Sequence, residues 1–152
     1  MVGAKVLKVE IEFVTPLIAR VPKRLVKEYP YAFEPEQEFL KKYPHIDKLF
    51  RRLPDGSIDP NQFRNMIYTV LSKNMPDTEI INIHDVEVDA LLGVESHLVQ
   101  GTPVLVEILR PGSKIRATII AKTKLGKGWE TEVMMGAMRR KGYGRARVRI
   151  VE

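Results

Sequence analysis

The sequence Arg145-Ala-Arg-Val-Arg-Ile150 alternates strictly between arginine and small or apolar residues. Successive side chains of a β-strand point to opposite faces, so this period of two predicts a half-buried strand. One face would carry three guanidinium groups. The other would face the core with Ala146, Val148 and Ile150.

The residues immediately before this strand combine glycines with an apolar pattern. Gly126 and Gly128 precede a run from 129 to 140 that has apolar residues at helical spacing. Those residues are Trp129, Val133, Ala137 and Met138. The sequence therefore predicts a helix over 129–140, ended by the turn Gly142-Tyr143-Gly144.

Residues 139 to 149 contain six basic side chains and no acidic one. Glycines at 142 and 144 would let the backbone approach a bulky anion, and exposed N–H groups there could form an anion nest. A phosphodiester backbone is the matching ligand. The alternative is a basic edge strand whose arginines are neutralised across the sheet by Glu10 and Glu12. Tyr143 is either a base-stacking platform or a plug on the helix end.

Composition narrows the class of protein. The 152 residues suit one domain with a real core. A net charge of +6 and a pI near 9.6 favour an acidic partner, nucleic acid before membrane. There is no apolar run long enough to span a bilayer, no signal-peptide pattern and no cysteine, so we expect a cytoplasmic protein with no membrane partner.

Periodicity predicts the remaining elements. A first strand covers 5–14, and a helix begins at Asp59-Pro60, with Asp59 as its N-cap. Its apolar face is Phe63, Met66, Ile67, Val70 and Leu71. Four further segments are interpreted as strands. The segment 80–92 is hairpinned at Gly93 with 94–99, and the segments 104–109 and 114–122 are joined by a type II turn at Pro111-Gly112. Residues 20–56, with five prolines, are interpreted as an insertion that includes a helix over 36–52.

Without the insertion and the extra hairpin, the order is strand, helix, strand, strand, helix, strand. This predicts an α+β fold, specifically a single domain over 1–152 with a ferredoxin-like (RRM-like) βαββαβ core. Both helices would cover one sheet face. The other face would carry Lys8, Glu10, Glu12, Lys114, Arg116 and the arginines of the last strand.

The segment Gly136-Ala-Met-Arg-Arg-Lys-Gly142-Tyr-Gly144-Arg145 resembles the glycine-rich loop of the RAMP superfamily of CRISPR-associated proteins. The likeness is strongest to the backbone-subunit branch. Weaker similarities lie at 9–17, at the Pro-Gly turn 110–115 and at 58–64, where the family begins the helix that receives guide RNA. The chain departs from the family in lacking a large thumb insertion and a histidine within 59–73. A compact viral or stand-alone relative therefore also fits.

The resemblance implies RNA binding, with guide or single-stranded RNA as partner, either alone or beside other subunits of a ribonucleoprotein. No cofactor or metal is predicted, since His45, His84 and His97 follow no ligand spacing. Asp47, Asp55 and Asp59 lie where backbone subunits can carry a cleaving aspartate, but a turn and a helix cap explain the last two better. The predicted RNA-binding residues are Arg64, Arg139, Arg140, Lys141, Gly142, Tyr143, Gly144, Arg145 and Arg147. The main alternative is a protein-interaction or assembly module without nucleic acid; a metal-independent endoribonuclease is the third class.

Overall fold

The computed structural model describes residues 3–18, 50–99 and 102–152, and shows an α+β protein. In these ranges there are seven strands and one α-helix. The strands are β1 (Ala4–Phe13), β2 (Glu79–Asp89), β3 (Leu92–Val99), β4 (Thr102–Leu109), β5 (Lys114–Lys122), β6 (Glu130–Met134) and β7 (Arg145–Ile150), and the helix is α1 (Arg64–Asn74). Two short 3-10 turns cover Pro60–Phe63 and Arg139–Lys141.

Five strands form one antiparallel sheet in the order β2-β5-β1-β7-β6. The central strand β1 lies between β5 and β7, so Val9 faces Ala117 on one side and Ile150 on the other. Strands β3 and β4 form a separate two-stranded hairpin in the described part of the chain, and Leu109 at the end of β4 also forms an isolated antiparallel bridge with Leu17. This hairpin is inserted between β2 and β5.

One face of the sheet is apolar and packs against α1. The alternation predicted for the first and last strands is confirmed: Leu7, Val9, Ile11 and Phe13 are buried, as are Ala146, Val148 and Ile150. The helix contributes Ile67, Val70 and Leu71 to the same core. Complete burial of such side chains stabilises a fold by about 1.5–3 kcal/mol each. The core therefore fixes which face of each strand is turned outward.

The start of the helix is as predicted. The Asp59 carboxylate accepts a hydrogen bond from the N–H of Asn61 at 3.0 Å, and Pro60 occupies the first position of the 3-10 turn. The chain leaves that turn directly into α1. Upstream, the turn predicted at 53–56 is also present, because the N–H of Gly56 bonds to the carbonyl of Leu53 at 2.9 Å.

The helix predicted over 129–140 is wrong. Residues 130–134 form strand β6, which pairs with β7, and the basic residues 139–141 form a 3-10 turn. Gly136 has φ +78° and lies against the chain near Ile18, where a Cβ would be 2.5 Å from the carbonyl oxygen. A positive φ is incompatible with a continuous helix. One helix, rather than two, therefore covers the apolar sheet face among the described residues.

The expected strand pairing also needs correction. The strand predicted over 80–92 ends at Asp89 and pairs with β5, while Leu92 already belongs to β3. The partner of β3 is β4, not β2. The Pro111-Gly112 turn is confirmed, with φ +92° at Gly112 and a hydrogen bond of 3.1 Å from Ser113 N–H to the Arg110 carbonyl. At this turn the chain passes from the hairpin to the large sheet.

Most of the predicted insertion, including all but the end of its proposed helix, lies at 19–49, outside the described residues. Phe50, just after it, packs its ring on Phe63 with centroids 5.9 Å apart. In the described part of the chain, no helix is long and apolar enough to cross a membrane.

Candidate nucleic-acid interface

Residues 135–144, here called the glycine loop, wrap around the chain that follows β1. The N–H of Gly144 bonds to the Pro16 carbonyl at 2.7 Å, and the N–H of Ala137 bonds to the Ile18 carbonyl at 2.8 Å. Within the loop, the Met135 N–H bonds to the Gly144 carbonyl at 2.9 Å. The first two bonds fix the loop on the segment that follows β1, and the third joins the two ends of the loop.

The two glycines flanking Tyr143 have different roles. A Cβ on Gly144 would be 1.8 Å from the Met135 carbonyl oxygen, and Gly144 has φ +78°. The chain itself therefore requires this glycine. Gly142 also has a positive φ, +91°, but a Cβ there would meet nothing within 4 Å. Of the two, Gly142 is the one that leaves open backbone for a ligand.

Tyr143 is a structural contact between the glycine loop and the hairpin. Its ring packs against a small cluster of the buried residues Ile18, Val106 and Ile108. Its hydroxyl donates a hydrogen bond to the Glu95 carboxylate on β3 at 2.5 Å. Burial first, then this bond and the negative charge of Glu95, raise the pKa of Tyr143. The plug interpretation fits this arrangement, although Tyr143 packs on a hairpin and not on a helix end.

Two of the three arginines on β7 form ion pairs. Arg145 donates to Glu132 of β6 at 2.7 and 3.0 Å, and Arg149 donates to Glu10 of β1 at 2.8 Å. Glu10 also accepts a hydrogen bond from Arg116 of β5 at 3.3 Å. The neutralisation that we considered as an alternative is thus present for Arg149, and for Arg145 it comes from Glu132.

Glu10 is the centre of this network on the outer sheet face. Burial by itself raises the pKa of the Glu10 carboxyl, but the hydrogen bond from Arg149, the charge of Lys114 and the bond from Arg116 together lower it below its usual value. The Glu10 carboxylate is therefore held ionised between two arginines. With Asp89, which pairs with Arg116, and Glu12, which lies opposite Lys114 in register, the middle of the outer face is close to charge balance.

Uncompensated positive charge is concentrated at the 3-10 turn. Arg139, Arg140 and Lys141 are exposed, and none forms an ion pair within 4.0 Å to any residue that the structure describes. Met138 and Gly142, at φ 58° and 91°, bend the chain on either side of them. On β7, Arg147 is likewise exposed, facing Glu12 and Glu132 in register without such a pair among these residues.

Arg64 is not brought to this cluster. Its guanidinium donates to the side chain of Asn82 on β2 at 2.7 Å. Strand β2 is one edge of the sheet and β6, which leads into the glycine loop, is the other. The structure instead places Lys73 near the loop, because Lys73 and Arg139 line the same groove between α1 and β6. The basic last turn of the helix was the sequence signal for Lys73.

The remaining candidate residues have structural partners or lie outside the described parts. Asp55 accepts hydrogen bonds from the hydroxyl and from the N–H of Ser57. Both bonds lower the pKa of Asp55, and the bond from the hydroxyl has the larger effect. Asp59 caps the helix, and His84 contacts Asp85 at 2.9 Å. His45, Asp47 and the side chain of His97 are not described. Across the described ranges, no group of three or more histidine or acidic side chains could hold a metal.

A buried acidic residue was missed from the sequence. Glu107 on β4 is 7 % exposed and pairs with Arg52, which lies before the helix. Its second oxygen, Oε1, has no hydrogen-bond partner among the described residues. The available sequence signal was a lone acidic residue in the apolar run Val104-Leu-Val-Glu-Ile-Leu109, of which residues 105–109 are all buried. The pair joins the hairpin to the segment that leads into α1.

Comparisons with protein-family models, with curated protein sequences and with solved structures give no match to this chain.

Proposed function

We propose that this protein is an RNA-binding protein of the RAMP type that holds backbone phosphates at its glycine loop. The observation that carries the proposal is the run Arg139-Arg140-Lys141. These three cations are consecutive and exposed, and they lack ion-pair partners in the described structure, unlike Arg145 and Arg149. Unpaired cations at a fixed turn can neutralise phosphates without first breaking a salt bridge.

The architecture supports the finer part of the proposal, a ferredoxin-like core. Without the β3–β4 hairpin and β6, the chain runs strand, helix, strand, strand, strand, and the remaining sheet order is β2-β5-β1-β7. In our proposal β6 and the glycine loop stand where the second helix of a βαββαβ unit would connect β5 to β7. The loop sequence resembles the RAMP loop, and we extend the proposal to a subunit of a CRISPR-type ribonucleoprotein on that resemblance.

The roles assigned here differ among the loop residues. Arg139, Arg140 and Lys141 contact phosphates, with Lys73 and Arg147 nearby as further cations, while Gly142 leaves room for the ligand backbone. Gly144 and Tyr143 hold the loop in place. Arg145 binds RNA only if it gives up Glu132. Contacts of this kind position RNA without reading its sequence, so we expect broad sequence tolerance.

The test compares two variants of equal net charge. One replaces Arg139, Arg140 and Lys141 by alanine; the other replaces Lys122, Lys124 and Lys127, which are exposed at the opposite end of the sheet, where Lys122 pairs with Ala4. Binding to a fluorescent single-stranded RNA is measured by anisotropy at several salt concentrations. For the loop variant we expect a salt slope shallower by about 2, since each neutralised phosphate contributes roughly 0.7 for single strands.

The control variant should keep most of the slope and affinity. Equal losses in both variants would mean diffuse attraction to a basic protein, with no site at the loop. RNA binding that neither variant changes would remove the proposal. The assembly-module alternative would then take its place. The charge-balanced outer face around Glu10 favours that alternative.

A further inference from the structure

Strand β6 has one edge with which no strand of the described residues pairs, here called its free edge. The Met135 N–H bonds to Gly144 and the Ile150 N–H bonds to the Trp129 carbonyl, so the odd-numbered residues of this strand direct their backbone groups to β7. In an antiparallel ladder the even-numbered residues then point the other way. The N–H and C=O groups of Glu130, Glu132 and Met134 therefore face outward, and no described strand pairs with them.

The two edges of the sheet are built differently. The other edge strand, β2, has register irregularities between Ile80 and Asn82 and between His84 and Glu87, with φ 52° at Asp85. Bulges of this kind disrupt an edge and discourage further strand pairing. Strand β6 pairs with β7 in five consecutive register positions without a bulge. The β6 edge is thus left regular while the β2 edge is protected.

A groove of about 760 Å³ runs beside this free edge, between α1 and β6. Its lining includes the apolar residues Met66, Val70 and Val133, and the charged residues Lys73, Arg139 and Glu132. Side chains of a strand stand alternately on its two faces. A strand added to β6 would therefore direct every second side chain into the groove.

We propose that the β6 edge binds an extended peptide segment of a partner protein by β-strand addition. The peptide would place apolar side chains in the groove at every second position and an acidic group near Lys73 and Arg139. Its backbone would exchange hydrogen bonds with Glu132 and Met134. The proposal goes beyond RNA binding and does not depend on it.

Two other occupants fit this edge less well. A phosphodiester backbone offers acceptors, which would leave the outward carbonyls of Glu130, Glu132 and Met134 unsatisfied. A second copy of the chain would bring its own Glu130 and Glu132 against those of the first in an antiparallel pair, and like charges on facing strands are destabilising. A peptide avoids both problems if its acidic group lies in the groove and the side chains that it places beside Glu130 and Glu132 are not acidic.

The test uses a proline that removes one outward N–H. In Glu132→Pro the lost N–H faces solvent, a position at which an edge strand tolerates proline. Glu132→Ala is the matched control, because it loses the same ion pair to Arg145 but keeps the N–H. A displayed library of short random peptides is selected on the wild-type protein, and an enriched peptide is synthesised for affinity measurements.

We expect enriched sequences with apolar residues at alternate positions. Binding should fall by about tenfold or more in Glu132→Pro relative to Glu132→Ala, as loss of a hydrogen bond with its buried partner left unpaired implies. A peptide N-methylated at the amides that face β6 should lose binding to the unaltered protein. This second measurement decides the question if Glu132→Pro fails to fold.

Three outcomes would overturn the proposal. The first is absence of any enriched peptide, or equal binding to both variants and to the N-methylated peptide. The second is a wild-type dimer in sedimentation that becomes monomeric in Glu132→Pro, which assigns the edge to a second copy. The third is RNA affinity that falls in Glu132→Pro but not in Glu132→Ala, which assigns the groove to RNA. Failure of the loop variant to affect RNA binding bears on the proposed function and not on this edge.

Discussion

Gly142 and Gly144, which are separated only by Tyr143, differ in the space that is available for a side chain. At Gly144 the nearest atom to an added Cβ is the backbone oxygen of Met135 at 1.8 Å, whereas Gly142 has open space. Both glycines belong to one Gly-Tyr-Gly segment, and nothing in the sequence distinguishes them. The close approach to Met135 depends on how β6 enters the loop, and the sequence pattern placed a helix there. The role of Gly144 therefore could not be predicted, although the need for positive φ in this turn could.

We predict that Gly144→Ala destabilises the protein by about 3 kcal/mol or more, because a Cβ cannot enter the space held by the Met135 backbone. Gly142→Ala should cost about 1–2 kcal/mol, the strain of a left-handed non-glycine residue. Urea denaturation of both variants measures the difference. If the two losses are equal, the close contact between Gly144 and Met135 is absent in solution.

The hydroxyl of Tyr143 gives the protein a pH dependence at alkaline pH. Since burial and Glu95 raise the pKa of Tyr143 in the folded state, the unfolded chain loses this proton first. The stability from Tyr143 is thus fully present below the unfolded pKa, about 10, and is lost as pH rises towards the folded pKa. Tyr143→Phe should cost about 1 kcal/mol at neutral pH.

This cost should shrink as pH increases above about 10, because the wild-type protein then loses the contribution that the variant already lacks. Denaturation of both proteins at neutral and alkaline pH provides the measurement. A difference between them that does not change with pH would mean that Tyr143 is not bonded to Glu95.

Among the elements, those with strong periodicity and a cap were predictable. Strands β1, β5 and β7 alternate over their whole length, and Asp59-Pro60 marks the start of the helical region. Strand β6 is five residues long and its residues are also compatible with a helix. Its conformation is decided by pairing with β7, a tertiary contact that outweighs weak local preference. Thr131 and Val133, both β-branched, were the available signal.

Amide hydrogen exchange distinguishes the observed strand from the helix that the sequence favoured. In strand β6, the N–H groups of Thr131, Val133 and Met135 face β7 and should exchange slowly, while those of Glu132 and Met134 should exchange rapidly. A helix would protect consecutive amides instead. Uniform protection from 131 to 138 by NMR would therefore contradict the strand.

Strand pairing and charge pairing both required the structure. The periodicity of β3 and β4 shows that each is a strand but not which neighbour it chooses. For the basic residues, sequence located the cluster at 139–141 and on β7, but not the division between paired and unpaired arginines. That division depends on Glu132, which was assigned to a helix, and on Glu10, which was considered as a partner of the arginines. The pairing of Arg149 could thus be predicted from the sequence, whereas that of Arg145 could not.

For the whole molecule the net charge is +6, and among the described residues the charge is unevenly distributed. On the outer sheet face Glu10 pairs with Arg116 and Arg149, and Arg116 also pairs with Asp89, so the charges of these four residues cancel. The 3-10 turn of the glycine loop carries its cations without such partners among the described residues. Long-range attraction of an anion comes from the total charge, whereas the position at which it settles is set by this local excess.

The hairpin and the main sheet are stabilised largely by different hydrophobic clusters. The larger cluster includes buried residues of all five sheet strands and of α1, and from the hairpin Leu109 at the end of β4, while the smaller one contains Ile18, Val106 and Ile108 with Tyr143 against it. A two-stranded hairpin is marginal without such support. We therefore expect β3 and β4 to open in a local unfolding step of lower free energy than unfolding of the sheet.

Native-state hydrogen exchange with one substitution in each cluster tests this separation. Ile119→Val, in the main core, should lower the opening free energy of β1 and β5 amides by about 1 kcal/mol, the usual cost of a deleted core methyl group. It should leave the opening of β3 and β4 unchanged, because the contacts of Ile119 survive when only the hairpin opens. Tyr143→Phe should lower both, since its bond to Glu95 is broken in either opening. If Ile119→Val instead lowers hairpin and sheet protection equally, the two clusters unfold as one unit and the hairpin has no opening step of its own.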